Sequence, residues 1–218
     1  MKIIGHRGAK GLAPENTLQS IVKALEVGVD AVEFDVHLTR DGAMPLHHDD
    51  SVSTPSGPSL ALRDLSFAEL KRLAPDITTL EEALETIAGK AEAWVEIKRG
   101  VDPDPICEKL VAYQKLGHAV SVLSFDYKLL QKVRENFPEL TIVINERWSG
   151  VRVAWRARVL KTKRIQMNQS WLWSGFVRHV HKRGFQLAPY TVNNPERTAS
   201  WEPFLYGVVT DRPDLFKR

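Results

Sequence analysis

The sequence has almost no cysteine and no long apolar segment. Its single cysteine, Cys107, cannot form a disulfide within the chain, so we expect a reducing compartment and a small, buried apolar residue here. No apolar stretch approaches the roughly 18 residues that would cross a membrane. The first ten residues, MKIIGHRGAK, lack the apolar core of a signal peptide. These absences exclude disulfide-stabilised domains and integral membrane association, and they predict a cytoplasmic protein.

The chain also lacks internal repeats and a strong charge bias. Its net charge is +3, which is mild for a dedicated nucleic-acid-binding protein. Much of the excess lies in residues 147–164, which contain seven basic residues and two tryptophans. Such a segment can bind a nucleic-acid backbone or an anionic membrane surface. The interpretation that we favour is a solvated helix whose Val151, Trp155 and Val159 face the core.

Strand and helix patterns alternate along most of the chain. The predicted strands are residues 2–5, 31–38, 93–98, 119–124, 141–145, 164–168, 185–190 and 206–210. Because helical segments follow seven of these eight strands, we predict an α/β fold, a (β/α)8 TIM barrel with a short insertion after the second strand. One domain over residues 1–218 is expected. An open doubly wound sheet is the alternative, although no GxGxxG or P-loop string follows the first strand.

Some helix boundaries carry local signals. Asn16 with Gln19 predicts a capping box at the start of the first helix, and Thr79 with Glu82 predicts another over residues 79–82. A weaker helix is predicted at 195–202.

Two predicted strands carry charged side chains at a spacing that suits a metal. Glu33 and Asp35 lie two residues apart and therefore point to the same face of their strand. In a barrel that face lines the interior, where two carboxylates need a cation to neutralise them. Glu96 can complete a three-carboxylate site, and Lys98 can contact a phosphoryl oxygen. Ligands that are all oxygen favour Mg²⁺ or Ca²⁺ over zinc.

Two histidines lie at the ends of extended segments. His6 is at the carboxyl end of the first strand, on the rim where barrel enzymes carry their catalytic groups, and His48 ends the segment after Asp41-Gly42. Phosphodiester cleavage needs one group that accepts a proton and another that donates one. Two imidazoles suit this division, and the sequence does not assign acid and base between them. Arg7 can bind a phosphoryl oxygen.

A series of short motifs spans nearly the whole chain. HRG, PENT, EFD, DG, HDD and EIK occur in this order, followed by LSF at 123–125, YTVNNPER at 190–197 and VTDRPD at 209–214. By these motifs the chain resembles the bacterial glycerophosphodiester phosphodiesterase family, in particular its cytoplasmic type. The resemblance implies metal-dependent hydrolysis of glycerophosphodiesters to glycerol 3-phosphate and an alcohol. The implied site residues are the acid/base pair His6 and His48, the metal ligands Glu33, Asp35 and Glu96, the phosphate contacts Arg7 and Lys98, and the supporting Asn16.

The motifs define fewer residues that would contact the alcohol part of the substrate. The insertion is short, and the arginine–threonine pair that often follows HDD is missing from SVSTPSG at 51–57. Trp171 and Trp173 follow the strand at 164–168 and lie at or near the carboxyl rim. They are candidates to bind an acyl chain or a bulky headgroup, and the alternative is that they pack against a neighbouring loop.

Two other functions stay open from the sequence. Lysophospholipase D-like or lyase activity on lysolipids would use the same histidines and metal. A non-catalytic sugar-phosphate or nucleic-acid binder would use the basic segment at 147–164, although binding alone needs no pair of proton-transfer groups. We expect a small-molecule glycerophosphodiester substrate and no nucleic-acid partner, and we leave peripheral membrane contact and the oligomeric state open.

Overall fold

The computed structural model describes residues 1–54 and 57–216. Within them the strands are β1 Lys2–Gly5, β2 Ala31–Val36, β3 Ser51–Val52, β4 Leu60–Ala61, β5 Glu92–Ile97, β6 Val120–Ser124, β7 Thr141–Glu146, β8 Arg164–Asn168, β9 Gln186–Tyr190 and β10 Gly207–Thr210. The α-helices are α1 Leu18–Val27, α2 Phe67–Leu73, α3 Leu80–Ile87, α4 Asp104–Lys115, α5 Tyr127–Asn136, α6 Gly150–Val159 and α7 Ser174–Lys182. Residues 55–56 of the SVSTPSG segment and residues 217–218 of the predicted domain lie outside the described residues.

Eight strands form one parallel sheet in the order β10-β1-β2-β5-β6-β7-β8-β9. Two backbone hydrogen bonds connect its edges: Tyr206 N–H donates to the Leu187 carbonyl and Val192 N–H to the Val209 carbonyl, each at 2.9 Å. The sheet therefore closes on itself, with α-helices between its successive strands except β9 and β10, which are joined by 3₁₀ turns. The predicted (β/α)8 barrel is confirmed, and the open-sheet alternative is wrong.

The insertion after β2 has a small core of its own. β3 and β4 form a short antiparallel pair, and α2 follows them. The buried residues of this insertion form a separate hydrophobic cluster, which consists of Val52, Leu62, Leu65, Leu70 and Ile77. Leu62 of the insertion donates its N–H to the Asp50 carbonyl at 2.9 Å, so the insertion helps to hold the segment that carries His48.

The barrel interior changes character from its amino end to its carboxyl end. Ile4, Ala31 and Trp94 belong to a buried apolar cluster contributed by the inward-facing residues of several strands. Further along the same strands the inward-facing positions become Glu33, Asp35 and Glu96. Side chains alternate along a strand, so Val32, Phe34 and Val95 pack in the outer core beneath the helices. The carboxylates Glu33, Asp35 and Glu96 therefore lie toward the carboxyl rim, while a separate polar group of Glu92, Ser121 and Arg164 lies at the amino end.

Helix α6 is rotated relative to the sequence prediction. Val151 is 84% exposed and Trp155 55% exposed, and Val159 is also exposed. The buried residues of this helix are instead Val153 and Ala157. The prediction that the first three face the core is therefore wrong.

The rotation of α6 has an electrostatic cause. Arg152 makes two hydrogen bonds to the buried carboxylate of Glu146, at 2.6 and 2.5 Å, and Arg156 reaches the same group at 3.4 Å. An unpaired carboxylate at this position would be costly. Pairing it turns the arginine side of α6 toward β7, and the Val151 side then faces solvent.

Two further boundary predictions were wrong. Thr17, not Asn16, caps α1, in a reciprocal pair with Ser20. Residues 195–202 form 3₁₀ turns rather than an α-helix. Pro203 lies inside the second turn and has no N–H to donate to the Ala199 carbonyl, which disfavours a continuous α-helix here. The capping box of Thr79 with Glu82 is confirmed at the start of α3.

Candidate active site

A polar cavity of about 140 Å³ opens at the carboxyl rim of the barrel. Seven of the ten site residues predicted from the sequence line the cavity: His6, Arg7, Glu33, Asp35, His48, Glu96 and Lys98. The rest of its wall is formed by Phe125, Asn145, Arg147, Gln166, Tyr190 and Thr191. Residues separated by more than a hundred positions thus meet in one place, because every parallel strand of a barrel ends at the same rim.

Three carboxylates form the floor of this cavity. Glu33, Asp35 and Glu96 each offer an oxygen atom within 4.8 Å of the others, and none is more than 7% exposed. Burial and the charge of Asp35 raise the pKa of Glu33 to about 8, and the same causes raise the pKa of Glu96. The cluster therefore resists carrying three negative charges unless a cation neutralises them. A divalent metal with oxygen ligands fits this donor set.

Two cationic side chains balance part of the charge. Lys98 Nζ lies 2.9 Å from Asp35 Oδ1 and 2.8 Å from Glu96 Oε1. Burial raises the pKa of Asp35, but Lys98 and the Asn16 hydrogen bond outweigh it, so this pKa lies below its ordinary value. Arg7 Nε is 3.3 Å from Asp35 Oδ2, and its Nη1 donates to Glu15 at 2.8 Å. Both cations thus stand where a phosphoryl group above the carboxylates can reach them.

Asn16 orients Asp35. Its Nδ2 donates to Asp35 Oδ2 at 3.0 Å, and its Oδ1 accepts from the Asp35 backbone N–H at 3.1 Å. The residue has φ +57°, a left-handed conformation that asparagine tolerates better than most side chains. Its side chain is thereby turned away from the start of α1 and toward β2. The structure thus places Asn16 beside the carboxylates, with its side chain bonded to one of them.

The turn after β1 is shaped by the neighbouring elements. Arg7 and Gly8 both have positive φ, and a Cβ on Gly8 would overlap Ser20 of α1. The Arg7 N–H donates to Glu33 Oε2 at 2.9 Å, and the Gly8 N–H donates to the Glu33 carbonyl at 3.0 Å. Glycine is needed because the chain turns left-handed against a helix here. This turn holds His6 and Arg7 over the carboxylates.

His6 has a carboxylate partner that the sequence analysis missed. Its Nδ1 is 2.6 Å from Asp211 Oδ1, and Asp211 is itself held by Asn193, whose Nδ2 donates to Oδ2 at 2.8 Å. Burial lowers the pKa of His6, but the hydrogen bond to Asp211 and the charge of Glu33 outweigh burial and raise it overall. Asp211 directly follows β10 and lies in the VTDRPD motif, so its position at a strand end was an available signal.

His48 lies at the mouth of the cavity. Its Nδ1 is 2.7 Å from Asp49 Oδ1, and its side chain is 40% exposed. Partial burial and the charge of Lys98 lower the pKa of its imidazole below the ordinary value. The two histidines of the cavity therefore differ in basicity. For His6 the carboxylates of Asp211 and Glu33 outweigh burial, whereas for His48 burial and the charge of Lys98 outweigh the hydrogen bond to Asp49.

Asn145 also orients a carboxylate without having been predicted as a site residue. Its Nδ2 donates to Glu96 Oε2 at 2.8 Å, and the side chain is buried. Gln166 and Tyr190 lie on the same wall, at or near the ends of β8 and β9. All three were predicted on strands, but an amide or phenol on a strand carries no local signal that it faces a site.

Trp171 and Trp173 lie outside the wall of the cavity. They are 52% and 65% exposed at the rim, after β8. The Trp171 ring packs edge-on against Trp148, with 5.5 Å between ring centres. They can contact only a part of a substrate that extends beyond the cavity, so their predicted role stays a prediction.

Comparisons with known proteins show the family to which this chain belongs. A model of the glycerophosphoryl diester phosphodiesterase family matches residues 6–215. The chain is 30% identical to YhdW of Bacillus subtilis, covering 99% of this chain and 96% of that protein. It is 29% identical to a glycerophosphodiester phosphodiesterase of Caldanaerobacter subterraneus subsp. tengcongensis, covering 97% and 94%.

A solved structure shows the same fold. A phosphodiesterase of Oleispira antarctica, in complex with the product sn-glycerol-3-phosphate, aligns with a TM-score of 0.87 at 26% identity and covers 99% of this chain and 95% of its own. The chain belongs to the glycerophosphoryl diester phosphodiesterase family and is an enzyme of that class. Among its described residues, no helix has the length and apolar character to cross a membrane.

Proposed function

We propose that this chain hydrolyses glycerophosphodiesters to glycerol 3-phosphate and an alcohol, using a divalent cation, Mg²⁺ or Ca²⁺. The observation that carries the proposal is the meeting of two histidines, three carboxylates and two cationic side chains in one small cavity. Binding of sn-glycerol-3-phosphate by the Oleispira antarctica relative supports this substrate class.

Glu33, Asp35 and Glu96 would hold the cation. When bound, it would polarise a phosphoryl oxygen and offset the negative charge that develops at phosphorus. Arg7 and Lys98 would donate to the two non-bridging oxygens of the phosphodiester, and both already lie within 3.3 Å of Asp35. A phosphoryl group would therefore be held between the carboxylate floor and these two side chains.

The histidines would divide the proton transfers. Because Nδ1 of His6 faces Asp211, its Nε2 is the nitrogen left for the substrate. Asp211 favours the protonated ring, so Nε2–H of His6 is suited to protonate the leaving alkoxide. His48 has the lower pKa and is suited to accept, at its own Nε2, the proton of the attacking hydroxyl. That hydroxyl is water or the neighbouring glycerol hydroxyl of the substrate.

Release of glycerol 3-phosphate from glycerophosphocholine tests the proposal. Activity should disappear in excess chelator and return on addition of Mg²⁺ or Ca²⁺. Glu33→Gln, Asp35→Asn and Glu96→Gln should each abolish turnover while the thermal unfolding transition is retained. Glu108→Gln, a matched change on the exposed surface of α4, should behave as wild type. Full turnover in chelator would refute metal dependence, and no release of glycerol 3-phosphate under any condition would refute the activity.

Activity on lysolipids is a second candidate. The exposed Trp171 and Trp173 at the same rim as the cavity favour it, because they could contact an acyl chain that extends beyond the cavity. Lysophospholipase D-like hydrolysis would release lysophosphatidic acid from lysophosphatidylcholine, whereas a lyase would release a cyclic phosphate. Product analysis by mass spectrometry distinguishes these outcomes from simple glycerophosphodiester hydrolysis.

We also propose that the enzyme acts in the cytoplasm. The support is the chain's one cysteine, Cys107, which is buried and unpaired as predicted. Fractionation of cells that produce the protein tests this location. Recovery of the protein outside the cytoplasmic membrane would refute it.

A further inference from the structure

Arg147 is a cation of the cavity wall to which the proposed mechanism gives no role. It follows β7, is exposed, and lines the same cavity as Arg7 and Lys98. Those two side chains contact the carboxylate of Asp35, at 3.3 and 2.9 Å. In the part of the chain that the structure describes, by contrast, no ion pair joins the Arg147 guanidinium to a carboxylate. Its charge is therefore available to a ligand.

The turn that carries Arg147 is held in place by a buried carboxylate. The N–H groups of Arg147 and Trp148 both donate to Oε1 of Glu146, at 2.9 and 3.0 Å. Glu146 is 2% exposed and is itself hydrogen-bonded by Arg152 of α6. The Arg147 guanidinium lies 5.8 Å from the ring centres of both Phe125 and Trp148. A group positioned in this way loses less conformational freedom when it binds a ligand.

Arg147 lies away from the groups that would hold the scissile phosphoryl group. Those groups are on β1, β2 and β5 and the loops that follow them, whereas Arg147 follows β7. Because β6 separates β5 from β7 and neighbouring strands lie about 4.8 Å apart, β7 is roughly 10 Å from β5. Arg7 and Lys98 would already donate to both non-bridging oxygens. Arg147 would therefore meet another part of the substrate.

We propose, on the basis of the proposed function, that Arg147 selects glycerophosphodiesters whose alcohol carries an oxyanion, either a carboxylate or a phosphate. The glycerol part of the substrate is uncharged, so an anion other than the scissile phosphoryl group can lie only on the alcohol. A guanidinium binds a carboxylate or a phosphate through two parallel N–H donors. Phe125 and Tyr190 also line the cavity and meet edge-on, with 5.9 Å between ring centres. These two rings would form the apolar side of the subsite.

The same arrangement disfavours a cationic alcohol such as choline. An ammonium group could otherwise bind the face of Phe125 or Tyr190 through a cation–π interaction. Arg147, however, lies 5.8 Å from the Phe125 ring centre. Its charge also acts on Tyr190, where it opposes the burial that raises the pKa of this phenol to about 12. Because a second cation beside these rings would be repelled, we expect neutral alcohols to be preferred over choline.

Two pairs of substrates, the members of each differing by one oxyanion, test the proposal. Glycerophosphoserine differs from glycerophosphoethanolamine by a carboxylate, and glycerophosphoglycerophosphate differs from glycerophosphoglycerol by a phosphate. With substrate consumption as the readout, the wild-type enzyme should prefer the oxyanion-bearing member of at least one pair by about tenfold in kcat/KM. The difference should lie mainly in KM, because the oxyanion is bound alike before and during the reaction. Arg147→Gln should remove the preference, Arg147→Lys should keep part of it, and salt should weaken it.

Arg183→Gln is the matched control, because Arg183 is exposed and lies between α7 and β9, at the amino end of the barrel. This variant should keep the wild-type preference. Equal kcat/KM for both members of both pairs in the wild type, or a preference that Arg147→Gln keeps, would overturn the proposal. An equal fall in kcat on all four substrates in Arg147→Gln would overturn it too and assign Arg147 to the scissile phosphoryl group. Hydrolysis of none of the four by the wild type would refute the proposed function itself.

Discussion

The pair formed by Asp211 and His6 makes a quantitative prediction about catalysis. In Asp211→Asn the shape of the residue is kept, but the negative charge beside His6 Nδ1 is lost. The Nδ1–Oδ1 distance is 2.6 Å and both side chains are at most 20% exposed. A hydrogen bond to a charged group under these conditions contributes about 1.5–3 kcal/mol. If it stabilises the protonated ring that donates to the leaving group, kcat should fall by about 10- to 100-fold.

The pH profile separates this role from a structural one. Asp211 raises the pKa of His6, so the wild-type ring stays protonated to higher pH than an ordinary histidine. If the protonated ring is the acid, activity falls as pH rises through its pKa. The profile of kcat/KM should be bell-shaped, and its basic limb should move to lower pH in Asp211→Asn.

Asp214→Asn supplies the control for this experiment. Asp214 lies three residues away and pairs with Arg212 on the surface, where an ion pair contributes little. The control should keep both kcat and the pH profile of the wild type. A change of less than threefold in kcat of Asp211→Asn, with an unmoved basic limb, would refute the role assigned to Asp211.

Other perturbations probe the mouth, the second histidine and the core. His48→Ala should lower kcat by about 10²–10⁴-fold with little change in KM, and a loss below tenfold in steady-state assays would contradict its role. Trp171→Ala and Trp173→Ala should lower kcat/KM for lysophosphatidylcholine by about 1–3 kcal/mol and spare glycerophosphocholine; equal losses would favour a packing role. Leu110→Ala, at a fully buried site in α4, should lower the free energy of unfolding by about 2–5 kcal/mol in urea titrations, and a loss under 1 kcal/mol would contradict tight packing there.

Local sequence patterns were sufficient to predict the eight barrel strands and seven of the residues that line the candidate site. Strand alternation has a period of two, so Glu33 and Asp35 had to share a face whatever the rest of the chain did. The barrel could be predicted because helices and strands alternate along the chain. In a closed parallel sheet the carboxyl ends of all strands lie on the same rim. Once that rim was inferred, His6 and Glu96 could be assigned to the same site although they lie far apart in the chain.

The partners of these residues depended on tertiary structure. His6 meets Asp211, which lies 205 positions later, only because β1 and β10 are neighbours in the closed sheet. Asn145 reaches Glu96 across β6, and no local pattern reports such a contact. Side-chain pairing between distant strands is set by register and closure, which are properties of the whole sheet.

The orientation of α6 was likewise decided by the tertiary structure. Its sequence offers two apolar stripes, one through Val151 and Trp155 and another through Val153 and Ala157. Spacing alone does not choose between them, because both repeat at four residues. The buried carboxylate of Glu146 does choose, since it needs the arginines of α6 beside it. The sequence by itself determined that a helix forms here, whereas contact with β7 determined which face it buries and left the tryptophan side in water.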